Sequence, residues 1–127
     1  MNTIIKYIIH VKTVLQAKPF VVSFDTVVEV ALMDIGRYRY RIRFDNGDML
    51  EMTERFMVKE NQIKVLKYSF HWQDTNGNIR KRWDNAPHHA NLATFPHHVH
   101  DGSEENVLPH PAIMAEDMLA KVAKMFR

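Results

Sequence analysis

The chain has 127 residues, 46% of them hydrophobic and 25% charged, with a formal net charge of +2 and no cysteine. This is the composition of one ordinary globular domain, and it excludes disulfides, thiolate catalysis and cysteine-held zinc. A charge so close to zero also excludes a global field, so any anionic partner must be drawn by a local patch.

Met1 to Lys12 is apolar, but Lys6, His10 and Lys12 interrupt it and no small-residue cleavage site follows. It reads as neither a signal peptide nor a membrane span. The expected location is the cytoplasm, with no membrane contact. Ile4, Ile8, Val11 and Leu15 recur at helical spacing and predict a helix over 3–17, closed by Pro19. His10 falls on its polar side and is expected to be solvated. Residues 20–32 carry Val21, Val22, Phe24, Val27, Val28, Val30 and Leu32, and read as a strand. In 36–44, Tyr38, Tyr40, Ile42 and Phe44 alternate with Arg37, Arg39, Arg41 and Arg43, the period of a half-buried strand.

Asp45-Asn46-Gly47 then turns the chain. A two-residue loop would oppose Arg41 to Met52 and Ile42 to Glu51. A three-residue loop with Gly47 left-handed instead opposes Ile42 to Leu50, Tyr40 to Met52 and Arg41 to Glu51. The second register sets apolar on apolar and charge on opposite charge, and is the one expected. The returning strand runs over about 48–58, with Glu51 and Glu54 as counter-charges for the arginines.

Residues 62–73 form the next strand, and Asn76-Gly77 signals another hairpin. A two-residue turn there opposes Ile79 to Asp74, Trp72 to Lys81 and Phe70 to Trp83. The other face then pairs Ser69 with Asp84, His71 with Arg82 and Gln73 with Arg80. Residues 85–111 hold four of the five prolines and no regular period, and read as a long functional loop. Over 112–126, Ala115, Met118, Leu119, Val122 and Phe126 form a helical apolar stripe, with acids early and bases late. The expected fold is therefore one α+β domain: an antiparallel meander of four to five strands over about 20–84, with the two terminal helices packed on one face.

Five of the eight histidines lie between 88 and 100. Histidine is the side chain whose ordinary pKa lies nearest neutrality. Two histidines flanking a phosphodiester can take a proton from a 2′-hydroxyl and return one to the leaving oxygen, while Arg82 steadies the phosphate. A second chemistry is metal binding, by His98 and His100 with His88 or His89 and Asp84. Adjacent histidines in an extended segment point apart, so His97 and His98 cannot serve one ion together. The plain alternative for each is solvation or a hydrogen bond to a nearby carbonyl. Asp84 has three expected donors: Arg82, a histidine ring and the amide of Ala86.

The segments Tyr68-Ser69-Phe70-His71-Trp72-Gln73-Asp74, Arg82-Trp83-Asp84-Asn85-Ala86-Pro87-His88-His89 and Thr94-Phe95-Pro96-His97-His98-Val99-His100 resemble the TumE family of small prokaryotic proteins. The order of elements is similar across nearly the whole chain. Two positions depart: Trp83 stands where Tyr is expected, and Val99 where Lys is common, which weakens a phosphate-contact role at that position only. The resemblance implies a toxin of a type II toxin–antitoxin module, neutralised by a cognate DNA-binding antitoxin. Joined to the residue chemistry, it suggests an endoribonuclease working without a cofactor or metal. The candidate catalytic set is His71, Arg82, Asp84, His88, His89, His97, His98 and His100. The candidate RNA-binding set is Arg39, Arg41, Arg43 and Arg80. The alternative is a non-catalytic binding module whose histidine loop holds a metal or forms a protein interface.

Overall fold

A computed structural model describes residues 2–126. Helix α1 (Thr3–Gln16) is followed by strands β1 (Val21–Ala31), β2 (Ile35–Phe44), β3 (Met49–Lys59), β4 (Gln62–Gln73), β5 (Ile79–Asp84), β6 (His98–Asp101) and β7 (Val107–Pro109), and then by helix α2 (Ala115–Met125). The strands form one antiparallel sheet in sequence order, a seven-stranded meander. The α+β architecture is as expected, but the strand count exceeds four to five. Residues 85–111 are not a structureless loop. They return to the sheet as β6 and β7, because Val99 sits opposite Trp83 and finishes the apolar face at that edge.

Period-two alternation divides the sheet. Tyr38, Tyr40, Ile42 and Phe44 of β2 are buried, while Arg37, Arg39, Arg41 and Arg43 are exposed. Leu50, Met52 and Phe56 of β3, Tyr68, Phe70 and Trp72 of β4, and Trp83 of β5 continue the buried face. Both helices close it, α1 with Ile4, Ile8, Val11 and Leu15, and α2 with Ala115, Met118, Leu119 and Val122. Asn2 caps α1, its side chain accepting from the Ile5 amide at 2.9 Å. A Cβ on Gly36 would lie 2.6 Å from the Phe56 ring and 2.8 Å from Ile4, so glycine is what lets α1 approach β2. Phe126 seals the far end, stacked on Phe20 at 4.5 Å and edge-on to Phe44. His10 is exposed but not idle: its Nε2 lies 2.7 Å from Glu116 and ties the two helices.

The first hairpin has the expected register, with Ile42 on Leu50, Tyr40 on Met52, Arg41 on Glu51 and Gly47 at φ +90°. The second differs. Asp74 pairs with Asn78 across a three-residue loop, with Gly77 at φ +81°. Gln73 therefore opposes Ile79, and Arg80 becomes the extra residue of a bulge before Trp72 meets Lys81. The loop and the bulge cancel, so His71 still faces Arg82 and Ser69 still faces Asp84. Arg80 does not join that face. Its Nε donates to Asp48 at 2.5 Å, beside the Trp72 indole N–H, which donates to the same carboxylate at 3.0 Å.

Two further expectations are corrected. Helix α2 starts three residues later than 112, because Pro109 and Pro111 hold the chain extended while it crosses from β7 to the helical side. Glu54 is not a counter-charge for the arginines. Parity along β3 puts it on the buried face, where its Oε1 accepts from Tyr7 (2.7 Å) and Tyr38 (2.5 Å).

Candidate functional site: a histidine cleft on the open face

The face opposite the helices carries an open cleft of about 740 Å³. Strands β2 and β3 supply Arg39, Arg41, Glu51 and Thr53; β4 supplies Lys67, Ser69 and His71; β5 supplies Arg82 and Asp84. The segment after β5 adds His88 and His89, and β6 adds His98 and His100. Antiparallel pairing brings these together, since Asp84 opposes His98, and Arg82 opposes both His71 and His100.

Asp84 is buried at the centre, with two donors and two histidine rings around it. Arg82 Nε donates at 3.1 Å and the Ala86 amide at 3.0 Å. His98 Nε2 lies 3.0 Å from Oδ1, and His100 Nε2 3.6 Å from Oδ2. Arg82 is held from three sides. Besides Asp84, it donates to both oxygens of Glu104 (2.6 and 2.9 Å) and from Nη2 to His100 Nε2 (3.1 Å).

The β6 histidines are fixed from behind. His98 Nδ1 donates to the Pro96 carbonyl at 2.9 Å, and His100 Nδ1 to the Glu104 carbonyl at 2.8 Å. Both bonds set the ring orientation and point Nε2 into the cleft. The two rings are 4.9 Å apart, and His89 lies 4.8 Å from the first and 5.9 Å from the second.

His71 and His89 both have their pKa lowered. For His71, burial is the largest cause, followed by the Arg82 charge, against smaller opposing effects of Glu104 and Glu51. For His89, desolvation comes first and the neighbouring histidines second. These shifts keep His71 neutral at pH 7, the state that accepts a proton.

Three expected residues lie elsewhere. His97 turns away, as its neighbour on an extended segment must, to stack on Tyr68, with its Nδ1 2.9 Å from the Tyr68 hydroxyl. Arg43 is exposed on the same sheet face but does not line the cleft, and Arg80 is on the other side with Asp48. Tyr38, Tyr40, Phe70, Trp72 and Trp83 are core, not stacking platforms. Lys67 and Glu104 were missing from the candidate set. Lys67 shares parity with Ser69 and His71, which is a readable signal. Glu104 reaches Arg82 only because Gly102, at φ +78°, turns the β6–β7 connection back over β5.

A family model described as Toxin TumE matches residues 11–127. The chain belongs to the TumE toxin family. The matched span includes every strand and the whole cleft, and it omits only the first ten residues. The TumE segments recognised in the sequence converge here: the first gives Ser69 and His71, the second Arg82, Asp84, Ala86, His88 and His89, the third His98 and His100. Searches of curated proteins and of solved structures returned no match. Among the described residues, no helix is long and apolar enough to cross a membrane.

Proposed function

We propose that this chain is the toxin of a type II toxin–antitoxin pair and that it cleaves RNA in the histidine cleft. The observation that carries the reading is the position of His71, a neutral histidine on an open face beside Arg39, Arg41 and Lys67. His71 takes the proton of the 2′-hydroxyl as that oxygen attacks phosphorus. The bond to the 5′ oxygen breaks, and the leaving oxygen takes a proton from His88 at the rim. Arg39, Arg41 and Lys67 contact phosphate. Arg82 and Asp84 are positioning residues: Arg82 donates to Asp84 and to His100, and Asp84 stands 3.0 Å from His98 Nε2. A cognate antitoxin neutralises the toxin by covering this bare face, and the family resemblance makes a DNA-binding antitoxin the expected partner.

The test is induced expression of the chain alone, with RNA integrity followed in cells and cleavage followed with purified protein. Growth arrest, RNA fragments with discrete ends and a loss of about 10²–10⁴-fold in His71→Ala are expected. Because His71 is shifted down, its cleavage limb has a midpoint below the ordinary histidine value of about 6.5. Arrest with intact RNA sinks the ribonuclease. Normal growth with soluble protein sinks the toxin as well, in favour of a non-catalytic binding module.

A further inference from the structure

We infer that His89, His98 and His100 form a binding site for one divalent cation of the zinc class, with Asp84 beside it. The inference rests on the ribonuclease reading only for the use of the ion, not for its binding. One ring nitrogen from each of the three histidines lies within 4.8 Å of the others. Ligands of a single zinc ion, with bonds of about 2.0–2.1 Å, sit about 3.3 Å apart in a tetrahedron, so a small inward movement of the rings closes the set. His89 is half-buried on a loop, while the other two are buried on a strand.

Three features go beyond proximity. First, His98 and His100 each give Nδ1–H to a backbone carbonyl and turn Nε2 inward. That bond behind the ring fixes tautomer and direction, and ligating histidines are held in this way. Second, His98 Nε2 and Asp84 Oδ1 lie 3.0 Å apart. With Nδ1–H given to the Pro96 carbonyl, the Nε2 lone pair of the neutral ring faces the carboxylate, an arrangement that a cation between the two atoms completes. Ligands of one ion have that spacing. Third, the charges leave room for a cation. Arg82 is matched by the bidentate Glu104, so the Asp84 carboxylate is in excess.

The donor set selects the ion class. Imidazole nitrogens with one carboxylate and no thiolate suit zinc, cobalt or nickel better than magnesium or calcium. Arg82 Nη2 must leave His100 Nε2 on loading, and it keeps its bond to Glu104 when it does. Three histidines and Asp84 fill a tetrahedron, and a phosphate oxygen entering from the cleft would take a fifth position or displace the carboxylate. His71 stays outside the trio and keeps its role as base.

Tag-free protein is stripped with chelator, dialysed against Zn²⁺ or Co²⁺, washed and assayed for metal by elemental analysis. About one equivalent per chain is expected, with the visible absorption of four-coordinate Co²⁺ and a rise in melting temperature with Zn²⁺. His89→Ala and His98→Ala lose the ion, whereas His71→Ala and His97→Ala keep it. His89 is the safer substitution because it is not in the core, and circular dichroism verifies its fold. No retained ion, or retention by His89→Ala equal to the parent, overturns the site. Zinc held with this ligand dependence but no RNA cleaved sinks the ribonuclease and leaves the site standing. RNA cleaved by protein that retains no ion sinks the site and leaves the ribonuclease.

Discussion

The two faces of the sheet are made by the same strands and follow different rules. On the helical face, side chains of β2 to β5 interdigitate with α1 and α2, and almost every polar atom is absent or bonded. Its exception is Glu54, whose carboxyl is pushed up to about 7 by burial, against the lowering effect of the Tyr38 and Tyr7 hydroxyls. On the open face no helix covers the strands, and charge gathers instead: Arg39 and Arg41 share Glu51, while Arg82, Asp84 and Glu104 anchor the histidines. The helical face holds the chain folded, and the open face can keep clustered charge and histidines because the other side supplies the stability.

Removing one side chain from each place tests that division. Trp83→Ala, fully buried between Phe70 and Val99, is expected to cost about 3–5 kcal/mol in urea denaturation. A loss below about 1 kcal/mol would mean that the core does not depend on this face. Tyr38→Phe removes one donor to Glu54, whose Oε2 already has no hydrogen-bond partner, and should cost about 1–3 kcal/mol. The sign with pH follows from the raised pKa. Between the ordinary carboxyl range and about 7, the folded state binds a proton that the unfolded state has released, so this group's contribution to stability is lost as pH rises through that window. Tyr38→Phe is accordingly expected to lose more at pH 8 than at pH 5, and equal losses would place the carboxyl in water. The smallest stability effect belongs to the open face. Arg39→Ala with Arg41→Ala should change stability by less than about 0.5 kcal/mol, because both guanidinium groups are about half exposed. The same pair should flatten the salt dependence of RNA binding, by about 1.4 in log–log slope for single strands. An unchanged slope would remove β2 from the RNA path.

Much of the fold was legible because its rules are local. The Tyr/Arg alternation of β2 assigned two faces, and Asp45-Asn46-Gly47 set the first register correctly. Glu54 was legible too, since it shares parity with Leu50 and Met52, but pairing it by charge with the arginines overrode the pleat. The second hairpin was harder. Asn76-Gly77 fits more than one loop length, and only the bulge at Arg80 shows which was used. Strands β6 and β7 were hidden because four and three residues give almost no period to read.

The residue types of the cleft were also in the sequence, as were the separation of His97 from His98 and the matching parity of His98 and His100. Their meeting was not. It depends on β6 returning to β5 after thirteen intervening residues, and on the Pro96 and Glu104 carbonyls standing behind two rings. Pleat and turn chemistry act between residues close in the chain, so the sequence by itself determined the strands, their faces and the apolar side. Convergence of His71, Asp84, His89, His98 and His100 is a long-range consequence of strand order and loop path, and only the tertiary structure decided it.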